Sequence, residues 1–159
     1  MIDFALEGKV AIVTGASRGL GRAAAVALAE QGVSVLAVAR STEDLEQLAA
    51  DFPGLVASQT CDMQDRAAVA ALPQIAVDRF GRLDVVVNNA GIGLLGAMES
   101  TSASTIKDIF ETNVFGVMEV TRKIIPYFRE QKAGTIINVT SNTALTPMPL
   151  VSVYAASKT

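Results

Sequence analysis

The sequence predicts an α/β domain built on a parallel sheet with helices on both faces. Three observations carry that prediction. Apolar, β-branched runs of strand length alternate along the chain with longer segments of helical period. Half of the 159 residues are hydrophobic and 18% are charged, a composition that buries a sheet on both faces. Glycines 15, 19 and 21 crowd the junction between the first strand and the first helix, where a doubly wound sheet makes its first ligand-binding turn. The length suits one domain over residues 1–159.

The elements follow in order. "KVAIVT" is the first strand, and "GLGRAAAVALAEQG" is an Ala/Leu-rich helix with Gly32 as its C-terminal stop. "VSVLAVA" is a second buried strand. "STEDLEQLAADF" opens with the hydroxyl and acidic residues of a helix N-terminus, and Pro53-Gly54 ends it before a third strand around "LVASQTC". The helix "DRAAVAALPQIAVDRFG" carries Pro73 as a kink or internal restart, and "RLDVVVNNAG" is a fourth strand running into a polar turn. A long helical pattern from Thr105 to Lys132 leads to Gly134, which opens a fifth strand, "TIINVTS". Parallel strands joined through helices connect right-handedly, which fixes the winding.

Composition also excludes whole classes of function. The net charge is −3, which offers no basic surface to a nucleic acid. With no histidine and Cys61 as the sole cysteine, an internal disulfide, a thiolate metal centre and His-based acid/base chemistry are ruled out, leaving Tyr, Ser, Lys and carboxylates. Cys61 reads as a small core filler. "MIDFALEGKV" lacks the positive charge and apolar run of an export signal, so cytoplasmic residence is expected. The charge-free stretch 133–157 is broken by Asn, Pro, Gly and many hydroxyl residues, so it reads as a buried strand and site-forming loop, and no membrane partner is expected.

Each motif has a plain and a functional reading. In "TGASRGLG" the glycines serve either an ordinary strand-to-helix turn or one in which Gly15 bends the chain, Gly19 admits a pyrophosphate and Gly21 lets helix and sheet pack closely. The second strand ends "AVARS" without the carboxylate that would hold a ribose 2′-hydroxyl; Arg40 with Arg18 makes either two solvated arginines or a pocket for a 2′-phosphate, which favours NADP(H) over NAD(H). "CDM" with Asp62 and "NNAG" from Asn88 to Gly91 stand at strand ends, as turns or as ligand contacts. Asn113, a poor helix former in "ETNVFG", marks a local break or an irregular carbonyl able to hold a water. Tyr154 and Lys158 in "YAASK" share a helix face at i and i+4. A phenol titrates near ~10, and an ammonium one turn away favours the phenolate, which suits proton exchange; the same pair also occurs as surface decoration.

Taken in order, "TGASRGLG", "CDM", "NNAG", the helix asparagine, Ser141 and "YAASK" resemble the short-chain dehydrogenase/reductase family over nearly the whole chain. The resemblance implies a Rossmann-type sheet in the order 3-2-1-4-5, with further strands after the Tyr/Lys helix that this sequence does not contain, so that "TIINVT" lies on an exposed edge. It implies Tyr154 as general acid/base, Lys158 assisting it and binding the nicotinamide ribose, Ser141 positioning the substrate oxygen, and Asn113 holding a water in a relay through Lys158. Gly15, Ser17, Arg18, Gly19, Leu20, Arg40, Asp62, Asn89, Ala90 and Gly91 match cofactor contacts, together with Tyr154 and Lys158, with Asp62 near the adenine. The implied reaction moves a hydride between NADP(H) and a small carbonyl or secondary-alcohol substrate, with no metal, in a homo-oligomer when complete. The alternative is a nucleotide-binding fragment without a competent site, or an NADP(H)-sensing protein. "GLLGAM" and "NTALTPMPLV" supply Leu94, Leu95, Leu145, Met148 and Leu150 near the expected carbonyl, hinting at an apolar or amphipathic substrate. Lys158 stands near the end of a helix expected to be too short to hold itself.

Overall fold

Apolar alternation on the first strand explains why both faces of the sheet are covered. In the computed structural model, which describes residues 5–146 and 148–159, β1 (Val10–Thr14) sends Val10 and Ile12 to one face and Ala11 and Val13 to the other, all four buried. The first face packs β2 (Ser34–Ala39), through Leu36 and Val38, against Val69, Leu72 and Ala76 of α3 (Arg66–Phe80) and Val120 and Ile124 of α5 (Val117–Glu130). On the second face, Val35 and Ala37 meet Ala25 and Ala29 of α1 (Gly19–Glu30) and Leu45 and Leu48 of α2 (Thr42–Asp51). Small residues on α1 let it lie close to the strands.

With β3 (Val56–Thr60), β4 (Val85–Asn88) and β5 (Thr135–Asn138), the five strands pair in parallel in the order β3-β2-β1-β4-β5. This is the order the resemblance implies. The strand C-termini of β1 and β4 diverge at the point where the winding reverses, the usual place for a ligand in such sheets. β5 is an edge among the described residues, and Ile137 on it is 46% exposed. Residues 1–4 of the N-terminal decapeptide and Pro147 of the "NTALTPMPLV" loop lie outside the described residues.

Several local expectations change. α3 runs as one helix through Pro73, which is buried in it, so the chain makes no internal restart there; packing of Leu72 and Ala76 on the sheet holds the turn that lacks Pro73's amide. Its N-cap is Asp65, whose Oδ1 accepts from Ala67 N and Ala68 N, each at 3.0 Å. The long helix begins at α4 (Ala103–Phe110), two residues before Thr105, because Ser102 Oγ caps it by accepting from Thr105 N at 3.1 Å. The predicted break at Asn113 is an expanded π turn, Glu111–Gly116, that leads directly into α5. α6 (Ser152–Lys158) forms despite its seven residues, because it packs against α4, the π turn and the 3-10 turn Asn142–Ala144. Tertiary contact here replaces the length that an isolated helix needs.

At the opposite end of the sheet, Asp84 ties three strands. Its carboxylate accepts from Val10 N at 2.9 Å and from Arg82 at 2.6 and 2.8 Å, with Lys9 3.7 Å away. Its backbone joins Val10 O and Thr135 N. Burial alone would raise its pKa, but the Arg82 and Val10 hydrogen bonds and the nearby charges hold it below the ordinary carboxylate range. A folded pKa below the unfolded one contributes stability that is complete above the ordinary carboxylate value near ~4 and is lost as the pH falls through the folded value. Asp84→Asn is therefore expected to cost about 1–3 kcal/mol at pH 7 in urea denaturation. The gap from wild type should close in acid below pH ~4.

Candidate active site

The site begins with a buried hydroxyl at the end of β1. Thr14 Oγ1 accepts from Asn89 N and Ala90 N, both at 3.0 Å, and donates to Val87 O at 3.3 Å. Asn89 returns the contact: its Nδ2 donates to Thr14 O at 3.0 Å and Gly15 O at 3.3 Å. The glycine turn and the "NNAG" turn are thus one hydrogen-bonded unit. Gly21 is confined by this unit, since a Cβ there would overlap the Gly15 carbonyl oxygen and Asn89 Nδ2. Thr14→Val would strand the Ala90 amide and leave Asn89 N only its bond to Val87 O at 3.1 Å, and is expected to cost about 1–3 kcal/mol, with Thr14→Ser recovering most of it in the same thermal or urea melt.

Between these turns and the ends of β2 and β3 lies a cleft of about 470 Å³, a size suited to a small-molecule ligand. Gly15, Ser17, Arg18, Leu20, Arg40, Asp62, Asn89, Ala90 and Gly91 line it; Gly19 opens α1 without lining it. Ser41, Asp44, Met63, Ile92 and Thr112 also line it and were not singled out as ligand contacts from the sequence. Asp44 was visible only as a helix-start acid. Arg18, the N-cap residue of α1, gives no side-chain cap, and no acid stands in that helix's first turn. The positive end of α1 is left unneutralised beside the cleft, an arrangement that accommodates phosphate. Cys61 is buried in the core at the cleft wall, and burial, Asp65 and Asp62 push its thiol up to about 11. It is a packing residue and a poor nucleophile.

The inner end of the cleft meets the second group of residues at Gly91. A Cβ on Gly91 would stand 3.0 Å from Lys158 Nζ and 3.3 Å from Asn113 Oδ1. Asn113 is buried and its side chain is fully engaged: Oδ1 accepts from Ile92 N at 2.9 Å, and Nδ2 donates to Ile92 O at 2.9 Å and Ser157 Oγ at 2.8 Å. The side chain therefore clasps the segment after Gly91 to α6. Any water bound at Asn113 must use the main chain, which an expanded turn makes irregular. Lys158 donates to Val139 O at 3.2 Å, and burial draws its ammonium below the ordinary lysine range.

Ser141 caps the 3-10 turn that follows β5, accepting from Thr143 N at 3.3 Å and Thr143 Oγ1 at 2.9 Å. The strand itself stops at Asn138, so Ser141 lies on the connection beyond it. Tyr154 is half-buried on α6, one turn before Lys158, and α6 packs on that 3-10 turn. Gly91 adjoins Lys158 and Asn113, and Asn113 is bonded to Ser157; no hydrogen bond joins Tyr154 to Ser141 or Lys158 among the described residues.

The sequence model of the short-chain dehydrogenases matches residues 9–159. The chain belongs to the short-chain dehydrogenase family. The chain is 35% identical over 156 residues to the 3-oxoacyl-(acyl-carrier-protein) reductase FabG of Thermotoga maritima, covering 96% of the chain and 63% of that protein. It is 38% identical to the ketoacyl reductase HetN of a Nostoc species, covering 96% of the chain and 54% of HetN. The crystal structure of a Brucella melitensis 3-ketoacyl-(acyl-carrier-protein) reductase complexed with NADH superposes with a TM-score of 0.92 at 36% identity, covering 96% and 65% of the two chains. A metagenomic short-chain oxidoreductase in complex with NADP gives 0.91 at 34% identity, covering 97% and 72%. The chain thus spans between about half and two thirds of the length of these curated relatives.

Proposed function

We propose that the protein is an NADP(H)-dependent oxidoreductase that interconverts a carbonyl compound and a secondary alcohol. The observation that carries this reading is the meeting at Gly91, where the phosphate-suited cleft runs directly into Lys158 and Asn113. Nicotinamide, when bound, supplies a hydride to a carbonyl carbon or accepts one from an alcohol carbon. The chain supplies position and protons. Backbone at Gly15 and the start of α1 holds the pyrophosphate, Asp62 borders the adenine, and Arg18 and Arg40 favour a 2′-phosphate. Tyr154 donates a proton to the carbonyl oxygen in reduction, and takes it from the hydroxyl in oxidation. Ser141 fixes that oxygen, Lys158 binds the nicotinamide ribose and supports Tyr154, and the Asn113 main chain holds a water behind Lys158.

Leu95, Leu145, Met148 and Leu150 are all more than half exposed, and Gly96 N donates to Leu150 O at 2.8 Å. The two apolar loops therefore meet, which supports a substrate with an apolar flank beside its carbonyl, the chemistry named in the ketoacyl reductases. Homo-oligomer formation and cytoplasmic residence belong to the same proposal. Among the described residues no helix is long and apolar enough to cross a membrane. The test is NADPH oxidation, followed optically, against a panel of short and long 3-oxoacyl thioesters and simple ketones. Turnover with preference for apolar carbonyls supports the reading. Dinucleotide binding without turnover on any of them favours the nucleotide-binding alternative.

A further inference from the structure

The cleft carries a charge that its glycine and arginine motifs do not account for. Asp44 lines it together with Arg18, Arg40 and Ser41. In sequence, Ser41 and Asp44 have the spacing of a capping box, in which the acid three residues on reaches back to the cap amide. The structure shows no side-chain cap at Ser41. Neither Asp44 nor Arg40 forms an ion pair or side-chain hydrogen bond among the described residues. Asp44 stands in the first turn of α2, beside that helix's positive end, but makes no side-chain bond to the helix or to an arginine, and it lines the cleft together with the opposite charge of Arg40. Glu43, its neighbour on the same turn, is exposed and does not line the cleft.

From this placement we infer that Asp44 is a specificity-determining residue: it opposes Arg40 by repelling the 2′-phosphate of NADP(H), so that the preference for NADP(H) over NAD(H) is narrower than the two arginines alone would set. The inference rests on the dinucleotide reading given above. A phosphate monoester carries close to two negative charges, and a carboxylate on the wall of a cleft this small stands within about a Debye length (~8 Å) of it. The two arginines attract the same group, so Asp44 tunes the affinity and does not abolish it. NADH lacks the phosphate and is left nearly untouched.

The test is a pair of equilibrium titrations of the 159-residue chain with NADPH and with NADH, following reduced-nicotinamide fluorescence, for wild type, Asp44→Asn and Glu43→Gln. Asp44→Asn is expected to tighten NADPH by about 3- to 10-fold and to shift NADH by less than about 2-fold, with the difference shrinking at high salt. Glu43→Gln, which removes the same charge from the same helical turn outside the cleft, is expected to leave the ratio near wild type. An unchanged ratio in Asp44→Asn, or an equal shift in Glu43→Gln, overturns the inference while the dinucleotide reading stands. A folded wild-type chain that binds neither ligand overturns both.

Discussion

Replacing Tyr154 with phenylalanine is expected to lower turnover by roughly 10²- to 10⁴-fold, the range lost when a positioned proton donor is removed. The substitution deletes one oxygen from a half-buried ring on α6 and leaves Val153, Ser157 and their contacts in place. Stability and dinucleotide affinity should therefore stay close to wild type. Lys158→Ala acts differently. It removes a half-buried ammonium that donates to Val139 O and adjoins Gly91, so it should weaken both binding and turnover. If Tyr154→Phe retained turnover within a few-fold of wild type, another group would have to deliver the proton. Histidine could not take that role, since the chain has none.

The second large effect is expected at Gly21. Alanine there places a methyl group against the Gly15 carbonyl and the Asn89 amide, both of which are fixed by the Thr14 hydroxyl network. Overpacking of this kind costs about 1–3 kcal/mol, and here relief requires moving the glycine turn itself. Dinucleotide binding should fall by at least ~10-fold, since 1.4 kcal/mol is a factor of ten in affinity. Gly54→Ala is the comparison. It has open space around its Cβ and lies in the turn after α2, away from the cleft, so it should cost stability through its positive φ of 83° but leave the ligand affinity unchanged. Equal losses of binding at the two positions would contradict the proposed role of Gly21.

Much of the fold was legible because both periods are strong. The valine and alanine runs of β1 and β2 alternate between two faces that are both apolar, and the helix between them carries a clear stop in Gly32. The glycine turn and "NNAG" were legible as turns at strand ends, but their union through Thr14 was not, since residues 75 positions apart are joined only by the parallel pairing of β1 with β4. Asn113 was legible as an irregularity, whereas its direction was not: its amide is spent on Ile92 and Ser157, contacts that exist only once α6 is docked. Asp44 was hidden by a local pattern that reads as helix capping. The short α6 went against isolated-helix reasoning because its partners lie elsewhere in the chain.

The most direct test of the central claim is whether the cleft takes a nicotinamide dinucleotide. The chain has no tryptophan, so the fluorescence of the reduced nicotinamide can be followed without overlap from tryptophan. Titration of NADPH with purified protein is predicted to give saturable 1:1 binding, lost in Gly21→Val and retained in Tyr154→Phe. A folded chain that shows no saturable binding at millimolar ligand, or binding that survives Gly21→Val unchanged, would contradict the account.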